Sequence, residues 1–226
     1  MERVMPPKDW RCIVCDLARV RRGKSLAFDG DSISCSGAKY YMGYTRERRP
    51  EFRYFLSCGK PGEVEGERYK RSPEIVDEMD RSAEHLHAEG RCYIFKRWDF
   101  VTEGEDPEVV VFFAGPEVIS GLFTLANFDQ SDPNGGVIAP FGSGCSSIIH
   151  YPLLEQRKEY PRAVLGMFDP SARPCVPLNT LTFAFPMKKF TRMVDYMEES
   201  FLITATWERM KRRIERSGRI GQAQIG

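Results

Sequence analysis

Histidine is scarce in this sequence, and several familiar catalytic patterns are missing. The 226 residues include three histidines, His85, His87 and His150. A metal site or catalytic centre that relies on several imidazoles therefore has few candidates. Neither the glycine pattern of dinucleotide-binding folds nor the glycine–lysine loop of P-loop proteins is present. No carboxylate pair stands out for acid–base catalysis. A Cys145–His150 nucleophile pair is disfavoured, because a separation of five residues places the two apart around a helix axis.

The sequence also lacks a long apolar run and an excess of charge of one sign. No segment approaches the roughly 18–20 apolar residues that span a bilayer, and the N-terminus lacks the apolar centre of a signal peptide. We therefore expect a soluble, cytoplasmic protein that does not bind a membrane. The 33 basic and 32 acidic residues nearly cancel, so no overall field that attracts nucleic acid is expected, and we predict no nucleic-acid partner.

Cysteine, in contrast, is plentiful. The chain has seven cysteines, an odd number, and a chain of this size does not need disulfides to fold. In a reducing compartment the thiols are free or bound to metal. We interpret Cys92, in the strand-like CYIFKRW, and Cys175, in the proline-rich RPCVPL, as ordinary buried or structural cysteines. The other five form a candidate metal or iron–sulfur site: Cys12, Cys15, Cys35, Cys58 and Cys145.

Three of these five cysteines lie in one stretch, residues 10–43. Its apolar period predicts a helix over residues 10–20, on which Cys12 and Cys15 lie on the same side, three residues apart. The basic residues that follow suit the negative end of the helix dipole, and they would also favour nearby thiolates. Cys35 precedes a predicted short helix, AKYYMGY, whose first turn offers unpaired N–H groups to a thiolate or a bound anion.

The other two site cysteines follow glycine- or proline-rich segments. Residues 47–66 are polar, with several prolines and glycines, which predicts a long surface loop carrying Cys58. Cys145 follows a Gly-Ser-Gly sequence and begins a predicted helix, SSIIHYPLLEQ, that Pro152 breaks or kinks. The glycines of residues 142–144 either cradle an anion or let the backbone approach the site closely.

The remaining pattern predicts an α/β or α+β fold with a mixed central sheet flanked by helices. Strands are predicted over residues 24–28, 91–101, 108–113, 163–168 and 181–185. The unbroken apolar run 109–113 indicates a central strand covered on both faces. We predict one domain over residues 1–218 and a flexible C-terminal tail over 219–226. The sequences FAGP and FAFP each end a strand and begin a helix, a weak sign of internal duplication.

Helices are predicted by their start signals and their apolar stripes. Ser72-Pro73 predicts the start of a polar helix that includes His85 and His87. Gly115-Pro116 begins another helix. Residues 187–201 form a predicted amphipathic helix with its apolar stripe at Phe190, Val194 and Met197. A basic helix, ATWERMKRRIERS, closes the fold.

Five motifs occur in a fixed order along the chain. They are C-x5-A-R with a following glycine, C-x-G-A with a further glycine, a strand ending in Gly-Pro, a G-x-G-C loop and a closing Phe-Pro. The residues concerned are Cys12, Ala18, Arg19, Gly23, Cys35, Gly37, Ala38, Gly43, Gly115, Pro116, Gly142, Gly144, Cys145, Phe185 and Pro186. Through them the sequence resembles the domain-of-unknown-function 169 family over most of residues 10–200.

This resemblance implies a fold but little chemistry, because the family has no settled activity. Cys15 and Cys58 lie outside its common pattern. Cysteine-rich members of this kind imply an iron–sulfur centre, to which the extra cysteines would contribute ligands.

Three interpretations of the site stay open: an iron–sulfur cluster, of the 4Fe-4S type, a zinc site, and no metal. Zinc sites usually pair two C-x2-C knuckles, and the chain has one, whereas ligand spacing varies among iron–sulfur proteins. The first functional hypothesis is a redox protein that transfers electrons to a partner protein or activates a small anionic or sulfur-containing ligand. The second is a metal-free or zinc-stabilised regulatory or small-ligand-binding module with its pocket under residues 142–145. The sequence assigns no reaction and no oligomeric state.

Overall fold

The computed structural model describes residues 12–20, 23, 25–46 and 48–223, with the side chains of Cys15, Ala18, Arg19 and residues 218–223 excepted. The chain forms two compact units, Met1–Val101 and Thr102–Gly226, and each is described by itself. The single domain over residues 1–218 and the flexible tail stay predictions. The described part of helix α8 runs from Ala205 to Ala223.

Among its described residues the first unit contains four α-helices, and the first of them confirms the predicted apolar stripe. They are α1 (Ile13–Val20), α2 (Ser36–Tyr41), α3 (Phe52–Leu56) and α4 (Pro73–Ser82). Ile13, Leu17 and Val20 are all buried, because residues three and four apart share one face of a helix. Gly23, with a φ of 82°, donates its N–H to the Val20 carbonyl and ends the helix.

One loop prediction and one helix prediction in this unit need correction. Helix α3 falls inside the predicted loop 47–66, because Phe52 and Phe55 give a short apolar stripe amid polar residues. Helix α4 begins at Pro73 as predicted but ends at Ser82. His85 and His87 therefore lie beyond the helix, in a segment without regular structure.

A two-stranded antiparallel sheet completes the first unit. Strand β1 (Leu26–Asp29) pairs with β2 (Cys92–Phe95), with Leu26 opposite Phe95 and Asp29 opposite Cys92. The fully buried Phe28 packs edge-on against Phe95, with ring centroids 5.7 Å apart. The predicted strand 91–101 is shorter than expected, because a 3-10 turn occupies Trp98–Phe100.

The second unit contains the mixed sheet that the sequence predicts. Its strands are β3 (Val109–Ala114), β4 (Val137–Ile138), β5 (Ala163–Gly166) and β6 (Leu181–Pro186), in the order β3-β6-β5-β4. Strand β6 is antiparallel to both β3 and β5, and β4 is parallel to β5. The mixed α/β class is therefore confirmed.

The prediction that residues 109–113 form a central strand is wrong. In the described sheet β3 lies at one edge, and β6 occupies a central position with residues 182–186 buried. An apolar run indicates that both faces of a strand are covered. It does not indicate whether the strand has a hydrogen-bonded neighbour on each side. Phe112 illustrates this, because its ring packs on Phe185 and Phe190 from the edge strand.

Helices flank this sheet and lead into the C-terminal helix. They are α5 (Pro116–Ala126), α6 (Tyr151–Gln156), α7 (Met187–Asp195) and α8 (Ala205–Ala223), and a π-helical turn at Ser146–His150 directly precedes α6. The buried core centres on Phe183 and Phe185 and includes Ile119, Leu125 and Ala163. No helix in the described residues combines the length and the apolar character needed to cross a membrane.

The predicted apolar stripe of the helix at residues 187–201 is partly wrong. Helix α7 ends at Asp195, and Val194 and Met197 are largely exposed. Its buried face presents Met193 and Lys189, each 2% exposed. The burial of Lys189 is possible because its Nζ donates to Asp129 Oδ1 at 3.0 Å. A hydrophobicity pattern predicts a solvent-exposed side chain at this charged position.

Candidate functional site

Cys12 lies at the start of helix α1. Its carbonyl accepts a hydrogen bond from the Asp16 N–H at 2.9 Å, which is the first i to i+4 bond of the helix. The Cys12 side chain is partly exposed. Cys15 follows one turn later within α1, and its side chain lies outside the described part of the chain. The predicted helical setting is confirmed for Cys15, which lies within α1, whereas Cys12 is the residue directly before the helix.

Cys35 occupies the corresponding position at the start of helix α2. It is the residue before the helix, and its carbonyl accepts from the Lys39 N–H at 3.1 Å. The thiol is partly exposed, and its Sγ lies 3.8 Å from the position that a Cβ on residue 37 would take. Gly37 therefore leaves the approach to the sulfur open on that side.

A buried arginine that the sequence analysis did not single out holds α2 in place. The Arg48 guanidinium lies 4.0 Å from the Tyr40 ring centroid and 4.5 Å from that of Phe52. Its Nη1 is 2.6 Å from Asp80 Oδ1 of α4. Burial raises the pKa of Asp80 and the Arg48 charge opposes that rise. The signal in the sequence was an arginine among aromatic residues, since a guanidinium stacks on their rings.

Cys58 lies on the surface of the first unit, in a segment tied down by hydrogen bonds. Its Sγ donates to the Gly59 carbonyl at 3.4 Å, and the thiol is exposed. Gly59 donates its N–H to Tyr54 O at 2.9 Å, and Lys60 pairs with Val64 in a β-bridge. The predicted excursion is therefore a compact turn after α3 rather than a long open loop.

Cys145 belongs to the second unit and is buried, with 6% exposure. It directly precedes the π-helical turn, in which Ser146 Oγ donates to Ser143 O at 2.7 Å and Ser147 Oγ to Gly144 O at 3.0 Å. A Cβ at Gly142 would lie 2.3 Å from Ser146 Oγ. Gly142 therefore leaves room for the Ser146 side chain, and both interpretations of these glycines stay predictions.

Pro152 is the second residue of α6, which follows the π-helical turn directly. The helix type therefore changes next to this proline, where the sequence predicts a break or kink. Single π-helical turns are rare and often lie at functional sites. His150 is 2% exposed, and its ring packs edge-on against Tyr151 with centroids 5.1 Å apart.

Of the two cysteines assigned to packing or structure, Cys92 differs from that expectation. Cys92 is exposed at the first residue of β2, so its interpretation as a buried cysteine is wrong. Cys92 and the exposed Ile94 share one face of the strand, and the sequence does not indicate which face is exposed. The pKa of Tyr44 is raised mainly by burial, and to a smaller extent by the nearby Cys92 and Asp29.

Cys175 is partly exposed at the end of a 3-10 turn.

Four of the candidate ligands belong to the first unit, and Cys145 belongs to the second. Within the described residues, no group of three or more histidine, cysteine, aspartate or glutamate side chains is arranged to hold a metal ion. The set Cys12, Cys15 and Cys35 includes a side chain outside those residues. The five-cysteine ligand set therefore stays a prediction.

Comparison with known protein families gives a match over most of the chain. The sequence model of the family described as "Uncharacterised ArCR", the domain-of-unknown-function 169 family, matches residues 1–196. No curated protein and no solved structure matches the chain.

Proposed function

The chain belongs to the domain-of-unknown-function 169 family, and from that premise we propose that it is an iron–sulfur protein whose ligands include Cys12, Cys15 and Cys35. The family description names no activity, so the proposal is argued from the thiols of this chain. An iron–sulfur cluster supplies reversible one-electron transfer, and an iron without a protein ligand also binds small molecules. The proposed role is electron transfer or activation of a small ligand.

The contrast between the motif cysteines and the other motif residues carries the proposal. Gly23 and Gly43 adopt φ values of 82° and 80°, and Ala38 is fully buried. Backbone geometry and packing account for these three residues. Cys12 and Cys35 are neither buried nor left-handed, and each begins a helix with its thiol partly exposed. Packing does not account for a cysteine in that setting, whereas ligation does.

The proposed ligands are the thiols of the first unit. Cys12 directly precedes α1 and Cys15 lies within it, three residues on, a spacing that would bring two side chains to the same centre. Cys35 supplies a third sulfur, and Cys58 is an exposed fourth candidate. Iron–sulfur clusters take cysteine thiolates as their principal ligands. The role of Cys145 stays a prediction, because this thiol is buried in the second unit.

Anaerobic purification tests the proposal. A brown protein that contains iron and acid-labile sulfide supports it, and a colourless anaerobic protein without iron contradicts it. A colourless protein with one bound zinc would favour the zinc-stabilised binding module instead. Chelation of the iron under anaerobic conditions should remove the colour and lower the thermal unfolding midpoint, because ligands that bind the folded state stabilise it.

Serine variants assign the ligands. Cys12→Ser and Cys35→Ser should each lose most of the bound iron and visible absorbance. Cys175→Ser is the matched control, a partly exposed cysteine of the second unit outside the proposed set, and it should keep both. Cys58→Ser, Cys92→Ser and Cys145→Ser then decide the remaining ligands. Equal loss of iron in all variants, including Cys175→Ser, would show that the ligand assignment is wrong.

A further inference from the structure

Helix α8 of the second unit presents four arginines along one side. Arg209, Arg212, Arg213 and Arg216 are spaced i, i+3, i+4 and i+7, so their side chains form a continuous row on the helix surface. We call these four residues the arginine ridge. All four are exposed. The net charge of the chain is close to zero, but this row forms a local concentration of positive charge.

The opposite side of α8 packs against other residues of the second unit. Trp207, Met210 and Ile214 are half-buried at spacing i, i+3 and i+7. The Trp207 ring packs edge-on against Phe201, with centroids 5.1 Å apart, and it also covers Gly121 of α5, where a Cβ would lie 2.4 Å from Trp207 Cη2. The apolar face of the helix is therefore already occupied, and the arginine ridge is the face that remains for a partner.

The carboxylates of the second unit neutralise the ridge only in part. Arg213 Nη2 lies 3.5 Å from Glu117 Oε1, and the Arg213 side chain is still 72% exposed. Glu208 lies close enough to Arg212 for that charge to lower its pKa, but its stronger partner is Lys211 at 2.7 Å. Arg209 donates to the neutral Thr206 hydroxyl at 3.2 Å. Like charges three and four residues apart destabilise a helix by a few tenths of a kcal/mol per pair, so an anionic partner that spans the ridge would relieve this repulsion.

We propose that the arginine ridge binds the phosphate backbone of a nucleic acid. Arg209 and Arg216 are about 10.5 Å apart along the helix axis, a length over which duplex DNA carries about six phosphate charges. Guanidinium groups bind phosphate oxygens through paired hydrogen bonds. A membrane is disfavoured because an interfacial helix inserts its apolar face, which here packs on Gly121 and Phe201. A protein partner is disfavoured because the fully buried centre of a protein interface is largely apolar, and the ridge offers four exposed charged side chains with no apolar residue among them.

Binding of a fluorescein-labelled 20-base-pair DNA duplex of mixed sequence, followed by fluorescence anisotropy, tests the proposal. We expect micromolar affinity at low salt. The logarithm of the binding constant should fall against that of the salt concentration with a slope of about −3.6, the value for four phosphate contacts. Arg212→Gln and Arg216→Gln should each weaken binding and reduce the steepness of this slope by about one. A labelled single-stranded RNA of 20 nucleotides gives the second arm, with a slope of about −2.8 for the same four contacts.

Lys211→Gln is the matched control. It removes the same charge from another side of α8, where Lys211 pairs with Glu208, so the slope should stay unchanged. Helicity measured by circular dichroism verifies that each variant is folded. The proposal is overturned if neither nucleic acid binds at low salt, or if Lys211→Gln weakens binding as much as Arg212→Gln. Stronger binding to vesicles with phosphatidylserine, or to polyglutamate of matched charge, would equally overturn it. The ridge contains no cysteine, so this outcome is separate from that of the iron assay.

Discussion

At the scale of the residue, Gly43 shows why one position of the chain tolerates only glycine. Its φ of 80° lies in the left-handed region. A Cβ there would lie 2.6 Å from both Ala88 N and Leu86 O. Two independent constraints, backbone conformation and close approach of another segment, therefore act on the residue that ends α2.

Gly43→Ala should destabilise the protein far more than the same change at Gly62. Gly62 has a similar φ of 76° and nothing within 4 Å of its missing Cβ. The left-handed conformation destabilises both variants by about 1–2 kcal/mol. The steric clash destabilises Gly43→Ala by about 1–3 kcal/mol more. Urea unfolding measures both changes. Equal losses would mean that the contact with residues 86–88 does not constrain Gly43.

Glu155 is a buried charged residue that depends on its hydrogen-bond donors. Its carboxylate is 2% exposed and accepts from Arg162 N at 2.9 Å, from Arg162 Nη2 at 2.8 Å and from Lys158 Nζ at 2.7 Å. Burial alone would raise the pKa of Glu155, but these hydrogen bonds outweigh it and hold the pKa below its ordinary value of 4.5.

The lowered pKa predicts an acid-sensitive contribution to stability. The contribution is present above pH 4.5, the ordinary pKa of the carboxyl group, and is lost as the pH falls through the lower folded value. Glu155→Gln should cost about 1–3 kcal/mol at pH 7 and clearly less at acid pH. The exposed Glu63, paired with Lys60, is the control, and Glu63→Gln should change stability by less than about 1 kcal/mol. A penalty at position 155 that is independent of pH would contradict this account.

At the scale of the element, the π-helical turn Ser146–His150 depends on one small residue of the sheet. Gly166 of β5 lies directly beneath Ser147, and a Cβ there would lie 2.1 Å from Ser147 Cβ and 2.2 Å from its Oγ. Thr182 of β6, opposite Gly166, places its fully buried hydroxyl 3.0 Å from the same point. The wide π-helical turn thus packs on a sheet position where no side chain intervenes.

Gly166→Ala should therefore be strongly destabilising, and Ser147→Gly should partly rescue it. The single change forces about 1–3 kcal/mol of overpacking. In the double variant the two closest atoms are removed, so the combined loss should be smaller than the sum of the single losses. Thermal or urea unfolding of the four proteins measures the coupling, with Ser143→Gly in place of Ser147→Gly as a control. Additive losses would show that Ser147 is not the group that Gly166 accommodates.

At the scale of the whole molecule, the division into two compact units places a short exposed segment between them. The boundary lies at Val101 and Thr102, and residues 102–106 are all exposed. Gly104 has a φ of 89° with nothing near its missing Cβ. Exposed turns of this kind are preferred sites of proteolysis.

A glutamate-specific protease should cut the native protein first at Glu103 or Glu105. The expected products are two fragments that meet near residue 104, identified by mass spectrometry. A variant with both glutamates changed to glutamine should survive markedly longer under the same conditions. First cleavage at Glu117 or Glu198 in the double variant and in the wild type alike would show that residues 102–106 are not the accessible segment.

The sequence by itself determined what depends on near neighbours. The stripe of α1, the helix starts at Pro73 and Pro116 and the mixed α/β class follow from side-chain period and from the fixed φ of proline. The position of Cys35 directly before a short helix was also predicted, whereas Cys12 was predicted inside a helix and lies just before α1.

Only the tertiary structure decided what depends on distant residues. The edge position of β3, the burial of Lys189 against Asp129 and the packing of Arg48 on α2 each need partners from other elements. The exposure of Cys92 likewise depends on which face of β2 is covered. Periodicity specifies which face of an element is apolar, and the free energy of burial and ion pairing is settled only when that face meets its neighbour.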